Sequence, residues 1–394
     1  MQRALRSALA AAASFVVACA GESPPSGRGA PDSAAQPATL RVALFNVMEL
    51  DAAKVGRPDD PQLAAAAAIV ARLRPDVLVL QEVDAPPEDP GAVARRFAER
   101  YLAPAGVELP HVFAAPSNTG RLSGHDLDGD GVVATEADLG TRAYGDDSFG
   151  YGEYPGQYGM AVLSRLPIAA GEARTFRDFP WRELPGHHLP PGFYSPEELA
   201  VLPLSSKSHW DVPVEIAGGR RLRLLVSHPT PPVFDGDEDR NGRRNFDEIA
   251  FWLHYLDGSP ALVDDRGRAG GLAPGSLFVL AGDLNADPLR PSSTYEGTTA
   301  IRQLLAHPLL VDPADVLVSA GGRLHGRGGE PRAEQVTAEF AGGMRVDYLL
   351  PSRRLTVADG GLFWPSPEAD PEGHRLATAA SDHHLLWLEL RLPD

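Results

Sequence analysis

Cysteine is almost missing from this chain of 394 residues: Cys19 is the only one. No disulfide framework can form within the chain, and no cysteine-based zinc site. Lysine is nearly as rare, with Lys54 and Lys207 the only two among 36 basic residues. No lysine follows a glycine-rich loop, which excludes a P-loop nucleotide site. Positive charge as a whole is short, because 53 acidic residues leave a formal net charge of -17. A surface of that sign repels polyanions at long range and argues against nonspecific nucleic-acid binding through clustered phosphate contacts. No apolar run is long enough to span a membrane as a stable helix. There are no internal repeats. With 43% hydrophobic and 23% charged residues, the chain has ample material for a large core, and its length suits two or three domains or one large sandwich.

The one cysteine sits at an informative place. Arg3 and Arg6 open the chain, Ala8 to Val17 is a short apolar run, and Val16-Val17-Ala18-Cys19 follows. This resembles the lipobox of a bacterial lipoprotein signal peptide, so residues 1–18 are expected to be removed and Cys19 lipidated. The alternative is an ordinary secretory signal with an incidental cysteine. Either way the protein is expected outside the cytoplasm, as a membrane-anchored lipoprotein of the cell envelope or an extracellular protein. Membrane contact would come through the lipid anchor only. Residues 19–39, rich in Ser, Pro, Gly and Ala, read as a flexible tether. Residues 40–394 are the folded domain, with Gly-, Asp- and Pro-rich insertions near 117–157 and 171–204. A monomer is expected.

Within the domain, short apolar runs bounded by turn residues read as buried strands, and they end in polar groups. Asn46 closes the run from Arg41, and Glu82 closes the run from Val77. His228 follows the run from Arg221, and Asp283 and Asn285 follow Leu277 to Gly282. Asp382 and His383 precede the last run, and Asp347 lies within the run from Met344 to Leu350. Strand alternation would point Asp283 and Asn285 the same way; an Asx turn at a strand end is the simpler reading of that pair. Between the first two strands, Asp60 caps a helix with Pro61 at its first position. The mixture of strands and helices suggests a layered α+β domain. Repeated carboxylate, amide and imidazole endings without thiolate suit an oxygen-rich site for Mg²⁺ or Mn²⁺. Such a site supports attack of water on phosphorus.

Taken in order, Phe45-Asn46, Gln81-Glu82, Tyr158 to Arg165, Ser227-His228, Gly282 to Asn285, Val346-Asp347-Tyr348 and Ser381-Asp382-His383 resemble the motifs of the endonuclease/exonuclease/phosphatase superfamily. The resemblance implies a four-layer α/β/β/α sandwich of two packed, mostly antiparallel sheets with flanking helices. It implies a hydrolase acting on phosphoric esters. Asn46, Glu82 and Asp382 would surround the metal, Asp283 would orient or deprotonate water, and Asn285 would hold the phosphate. His383, oriented by Asp347, and His228 would contact the phosphate; Lys207 and His209 are secondary candidates for that contact. The position two residues after Asn46, often acidic in the family, is Met48 with Glu49 beside it, which leaves a second metal open. The substrate would be a small molecule, a lipid head group or nucleic acid. A secreted nuclease is the nearest alternative. A calcium-binding surface protein with an inactive enzyme fold is the reading from another class.

Two acidic stretches bear on calcium. Asp237, Asp239, Asn241, Gly242, Arg243 and Glu248 fill the first, third, fifth, sixth, seventh and twelfth positions of an EF-hand loop. Asp126, Asp128 and Asp130 begin the same pattern, with its closing ligand displaced to Glu136 or Asp138. Turn-capping acidic loops are the competing explanation for both. Arg240, Arg243 and Arg244 would alternatively steer substrate phosphate toward His228.

Overall fold

The computed structural model describes residues 39–290, 293–325 and 332–393. The signal segment, Cys19 and the tether as far as residue 38 lie outside them. Among the described residues no helix is long and apolar enough to cross a membrane.

β1 (Thr39–Leu50) and β2 (Val77–Val83) run parallel, joined by the helix Pro61–Leu73. Asp60 starts that helix as expected: its carboxylate accepts from the N–H groups of Gln62 and Leu63, and Pro61 spends no N–H in the first turn. Arg74, in a left-handed conformation (φ 47°), ends it. The helix Ala92–Phe97 runs on into a π-helical turn, Ala98–Leu102. β3 (His111–Phe113) and β4 (Gly159–Ser164) pair antiparallel. β12 (Thr356–Leu362) and β13 (Leu386–Arg391) complete a six-stranded sheet in the order β12-β13-β1-β2-β4-β3.

The second sheet contains β5 (Arg174–Thr175), β6 (His209–Ile216), β7 (Arg220–Ser227), β8 (Leu277–Asp283) and β11 (Asp347–Pro351). Their order is β11-β8-β7-β6-β5, and only the β7–β8 pair is parallel. A two-stranded hairpin, β9 (Thr294–Tyr295) and β10 (Thr298–Thr299), stands apart. The turn between β6 and β7 passes through Gly218 and Gly219, both at positive φ, a conformation glycine adopts without strain.

Strand alternation explains the layers. Val42 and Leu44 of β1 face Trp210, Val212, Leu224 and Val279 in the core between the sheets. Ala43 and Phe45 face outward to Leu63 and Val70 of the first helix. On the other side Leu225, Phe278 and Leu280 bury the helix Arg240–Leu256 through Phe251, Trp252 and Tyr255. Each such buried side chain contributes roughly 1.5–3 kcal/mol. The result is the expected four-layer sandwich. The insertion near 171–204 differs from the expected irregular loop. It supplies β5, and its Phe176, Phe179 and Trp181 are core residues packed with that helix.

Candidate active site

The two parallel pairs end at the same rim, and there the ladders break. The β1–β2 register shifts between Asn46 and Leu50, and the β2–β4 register shifts between Gln81 and Val83. Met48, Glu49, Glu82, Tyr158 and Asn285 have φ values of 45–58°. Non-glycine residues in that region are strained and gather at functional sites. The bulge separates the work of neighbours. Gln81 is fully buried between the sheets. Its amide donates to the Ser227 carbonyl (2.8 Å) and its carbonyl accepts from the Asp283 N–H (2.5 Å). Glu82, half-buried, turns to the cleft.

Asp283 is the centre. Its Oδ2 accepts from the Asn46 amide (3.1 Å) and lies 3.5 Å from His228 Nε2 and 3.7 Å from His383 Nε2. The same Asn46 amide donates to Glu82 Oε1 (3.0 Å). Asp347 stands directly opposite Asp283 across the β8–β11 ladder and accepts from His383 Nδ1 (2.9 Å). Thr337 fixes that strand start by accepting from the N–H groups of Val346 and Asp347. The Phe340 ring lies 5.4 Å from the His383 ring.

Burial pushes the Asp283 carboxyl well above its ordinary range, with Asp347 and Glu82 adding to the rise and His383 opposing it. Burial pulls His383 down, but the Asp347 and Asp283 carboxylates outweigh it and raise its pKa to about 10. His228 is driven the other way, by burial first and then by Lys207 and His383. One imidazole is thus held cationic and the other neutral, the separation that distinguishes acid and base roles within a site.

Seven of the eight residues assigned by resemblance meet here: Asn46, Glu82, His228, Asp283, Asn285, Asp347 and His383. Asp382 lies beside them. Ser381 ties its turn to the Asn46 carbonyl (2.8 Å), while the Asp382 carboxylate joins neither group of converging ligand atoms, Glu82–His228–Asp283 and Asp283–Asp347–His383. Asn285 departs from simple alternation. β8 ends at Asp283, and Asn285, at φ 50°, donates its N–H to Asp283 Oδ1 (2.9 Å). The Asx turn and the site are therefore the same structure. The Asn285 amide reaches the Pro229 carbonyl (3.1 Å) beside His228. His209 is a core histidine: Nε2 donates to the Glu248 carbonyl (2.8 Å), and the ring packs on Phe251. Gln81, read in the sequence only as part of the Gln81-Glu82 motif, and Thr337 are positioning residues whose roles local pattern did not mark. The Gln81 partners, Ser227 and Asp283, are distant in sequence.

The calcium pattern at Asp237 does not fold as an EF-hand loop. Asp239 is the left-handed N-cap of the helix Arg240–Leu256, so Asn241, Gly242 and Arg243 are its first turn. Asp237 is exposed. Asp239 accepts from the hydroxyls of Ser293 and Tyr295, and Asn241 donates to the Val233 carbonyl. Glu248 is buried in the helix, accepting from Ser206 N and Oγ (2.7 and 3.0 Å) and Thr230 N (2.6 Å). The proposed ligands do not converge. At the other loop Asp126 accepts from the N–H groups of Gly129, Asp130 and Gly131. The converging carboxylates are Asp126, Asp128 and the buried Asp147, within 4.8 Å. Asp130 is exposed, and Asp138 is spent capping Thr135. Asp147, whose two oxygens accept from the N–H groups of Leu127 (2.8 Å) and Ala134 (2.7 Å), joins Asp126 and Asp128 where Glu136 and Asp138 do not.

A four-layer sandwich whose strand ends gather carboxylate, amide and imidazole groups into one cleft defines a class of phosphoester hydrolases. The sequence model of the Endonuclease/Exonuclease/phosphatase family matches residues 44–383, and the chain belongs to that family, whose members are hydrolases acting on phosphoester bonds. Among solved structures it is similar to an endonuclease/exonuclease/phosphatase from Beutenbergia cavernae, at 20% identity and TM-score 0.52, over 90% of this chain and 72% of that one. It is also similar to a family protein from Leptotrichia buccalis (13%, TM-score 0.48, 89% and 99%). A third is humanized D. rerio TDP2 (13%, TM-score 0.46, 90% and 99%). The likeness to the Beutenbergia cavernae structure, at 20% identity, shows the fold alone. No curated protein matches the chain.

Proposed function

We propose that this protein is a divalent-metal-dependent phosphoesterase hydrolysing a compact phosphodiester or phosphomonoester by in-line attack of water, outside the cytoplasm. The observation that carries the reading is the junction at Asp283, where an acid, an amide and two imidazoles of opposite protonation meet. Among the described residues the ion-pair partners of Asp283 are His228 and His383, and Glu82 has none. Two carboxylates bridged by one amide and lacking an Arg or Lys partner fit a hard cation such as Mg²⁺ or Mn²⁺. Glu82 and Asn46 would hold it, with Asp382 at the edge. When bound, such an ion offsets charge on the phosphoryl oxygens. Asp283 orients water and accepts its proton. His383, locked by Asp347, donates to a phosphoryl oxygen, and neutral His228 makes a second contact. Asn285 spends one amide hydrogen on Pro229 and keeps the other for phosphate.

The cleft leads into a cavity of about 420 Å³. Both insertions wall it, through Leu127, Arg142 and Tyr151 and through Tyr194 and Leu202. That enclosure favours a compact substituent over a nucleic-acid duplex, and so the phosphoesterase over the secreted nuclease. Calcium is kept as a structural ion of the Asp126–Asp128–Asp147 group, in the wall beside Leu127. Lipidation of Cys19 accounts for location; a Cys19→Ser protein that stays equally membrane-bound on fractionation removes that part.

The test is a Mg²⁺-dependent assay on an aryl phosphodiester, an aryl phosphomonoester and plasmid DNA. Expected is ester hydrolysis abolished by chelator and reduced on the order of 10²–10³-fold by Glu82→Gln, Asp283→Asn or His383→Ala, with plasmid intact. Near-normal turnover by a well-folded Asp283→Asn protein sinks the mechanism, and plasmid cleavage shifts the reading to a nuclease. Metal binding without turnover of any substrate leaves an inactive fold.

A further inference from the structure

We propose that the Lys207 ammonium is an anion-holding group of this active site, taking charge from a non-bridging phosphoryl oxygen on the His228 side of the cleft. The inference rests on the phosphoesterase reading for the identity of the anion. It rests on the structure for the place.

Lys207 is buried as a residue, yet among the described residues its ammonium has no hydrogen bond and no carboxylate within 4 Å. Its side chain lines the cavity together with Glu82 and His228. Burying a cation without a partner is costly, so buried charges are normally paired. The contrast with neighbouring cations is direct. Arg244, in the same wall, has partners: Nε donates to the Leu204 carbonyl (2.8 Å), and one terminal nitrogen donates to the carbonyls of Phe149 (2.7 Å) and Pro203 (3.1 Å). Arg142 pairs with Asp146, and Arg240 with Glu238. The other lysine, Lys54, donates to the Met48 and Glu49 carbonyls. Among the described residues, Lys207 alone of these cations has neither a hydrogen bond nor an ion pair.

Its backbone is clamped from three sides, which argues against chance placement. The Lys207 carbonyl accepts from the Asn118 N–H (3.0 Å). Ser206 is held by Glu248 through both N and Oγ. Gly150 allows the first insertion to press on the same segment, since a Cβ there would meet the Ser206 carbonyl oxygen at 1.7 Å. The carboxylates that act on Lys207 through space, Glu248, Glu82 and Asp283, are committed elsewhere: Glu248 to Ser206 and Thr230, Glu82 and Asp283 to Asn46. A tetrahedral oxyanion seated against His228 supplies the missing partner. Burial pulls the Lys207 pKa down and the three carboxylates oppose it; an ammonium held at the cavity wall needs no reorganisation when charge builds on the phosphoryl oxygens, the condition under which such a group accelerates reaction.

The test uses the full chain with Lys207→Met, Lys207→Gln and Lys207→Arg. Inorganic phosphate binding is read by titration calorimetry in chelator and in Mg²⁺, alongside the thermal midpoint and kcat and KM on an aryl phosphodiester. Expected are midpoints of the Met and Gln variants no lower than wild type, because an unpaired buried charge has been removed. Phosphate affinity should fall at least about tenfold, the loss of a charge-assisted hydrogen bond, with partial rescue by Arg. kcat/KM should fall on the order of 10²–10³-fold. Phosphate binding unchanged in either neutral variant, or absent from the wild type, overturns the proposal. So does a midpoint lowered in both, or failure of both to fold, which makes the lysine structural. Phosphate binding needs no turnover: a wild type that binds phosphate through Lys207 but hydrolyses no ester refutes the proposed function and leaves this inference standing.

Discussion

Glu248→Gln separates the calcium pattern in the sequence from the structure that forms. Among the described residues this carboxylate serves three donors and no cation within 4 Å: Oε1 accepts from Ser206 N and Oγ, and Oε2 accepts from Thr230 N. An amide of the same shape cannot serve them. Whichever end carries the NH₂ group meets a backbone N–H, and a backbone N–H cannot rotate away as a hydroxyl does. One hydrogen bond to a charged acceptor is lost, at roughly 1.5–3 kcal/mol, and one buried donor is left unsatisfied, at roughly 1–3 kcal/mol. Together they set a loss of about 2.5–6 kcal/mol in unfolding free energy. The assay is urea unfolding of wild type and variant, each in chelator and in Ca²⁺. The loss should be the same in both. Because Ser206 precedes Lys207 and Thr230 follows His228-Pro229, kcat/KM should fall as well, although Glu248 touches no substrate. A loss below about 1 kcal/mol, or a loss confined to Ca²⁺-containing buffer, refutes the reasoning and restores Glu248 to a calcium loop.

Asp347→Asn should lower turnover less than His383→Ala, because Asp347 acts through the imidazole. It should also bring the alkaline limb of the pH profile toward neutrality, since Asp347 is the largest contributor holding His383 at about 10; a variant worse than His383→Ala means the roles are reversed. Burial lowers His209 to about 4, below its unfolded value near 6.5. The unfolded chain then binds the extra proton, so this stability is complete above about pH 6.5 and is lost on acidification toward pH 4, on the order of 3 kcal/mol. His209→Phe should flatten that part of the stability profile measured by urea unfolding, and an unchanged slope counts against it. Ca²⁺ should raise the thermal midpoint of wild type and of Glu248→Gln but not of Asp147→Asn; a rise that survives Asp147→Asn removes this ion site.

What was legible in the sequence was local. The run Leu277 to Gly282 closing on Asp283, and Asp60 before Pro61, carry their structural reasons within a few residues. The order of motifs along the chain was enough for the sandwich, and it named eight candidate residues of which the fold brings seven together. What was not legible depends on partners far away. Glu82 reaches the cleft only because two ladders slip at that point, and a register shift belongs to a pair of strands. Gln81 and Glu82 look alike as a polar strand ending, yet one is a strut between sheets and the other lines the cavity. The Asp237 pattern misled for the same reason: Ser293 and Tyr295, more than fifty positions on, hold Asp239 as a helix cap, and a helix cannot also be a loop.

These distant partners also explain why the chemistry sits at this rim. Five non-glycine residues around the cleft hold left-handed backbone, each at a cost of order 1 kcal/mol. Isolated loops would relax from such conformations. Here the strands they terminate are buried on both faces, and Gln81 fastens the end of β2 to both Ser227 and Asp283 on the opposite sheet. The separation between Glu82 and the Asp283–His228 pair is therefore set by the sandwich core rather than by the loops. Gln81→Leu tests that step: stability should fall by about 2–5 kcal/mol for the two lost buried hydrogen bonds, and metal affinity and kcat should fall with it even though Gln81 faces neither metal nor substrate. A Gln81→Leu protein destabilised by that amount but with metal affinity and kcat intact would show that the loops themselves hold the site, and that the two sheets merely support it.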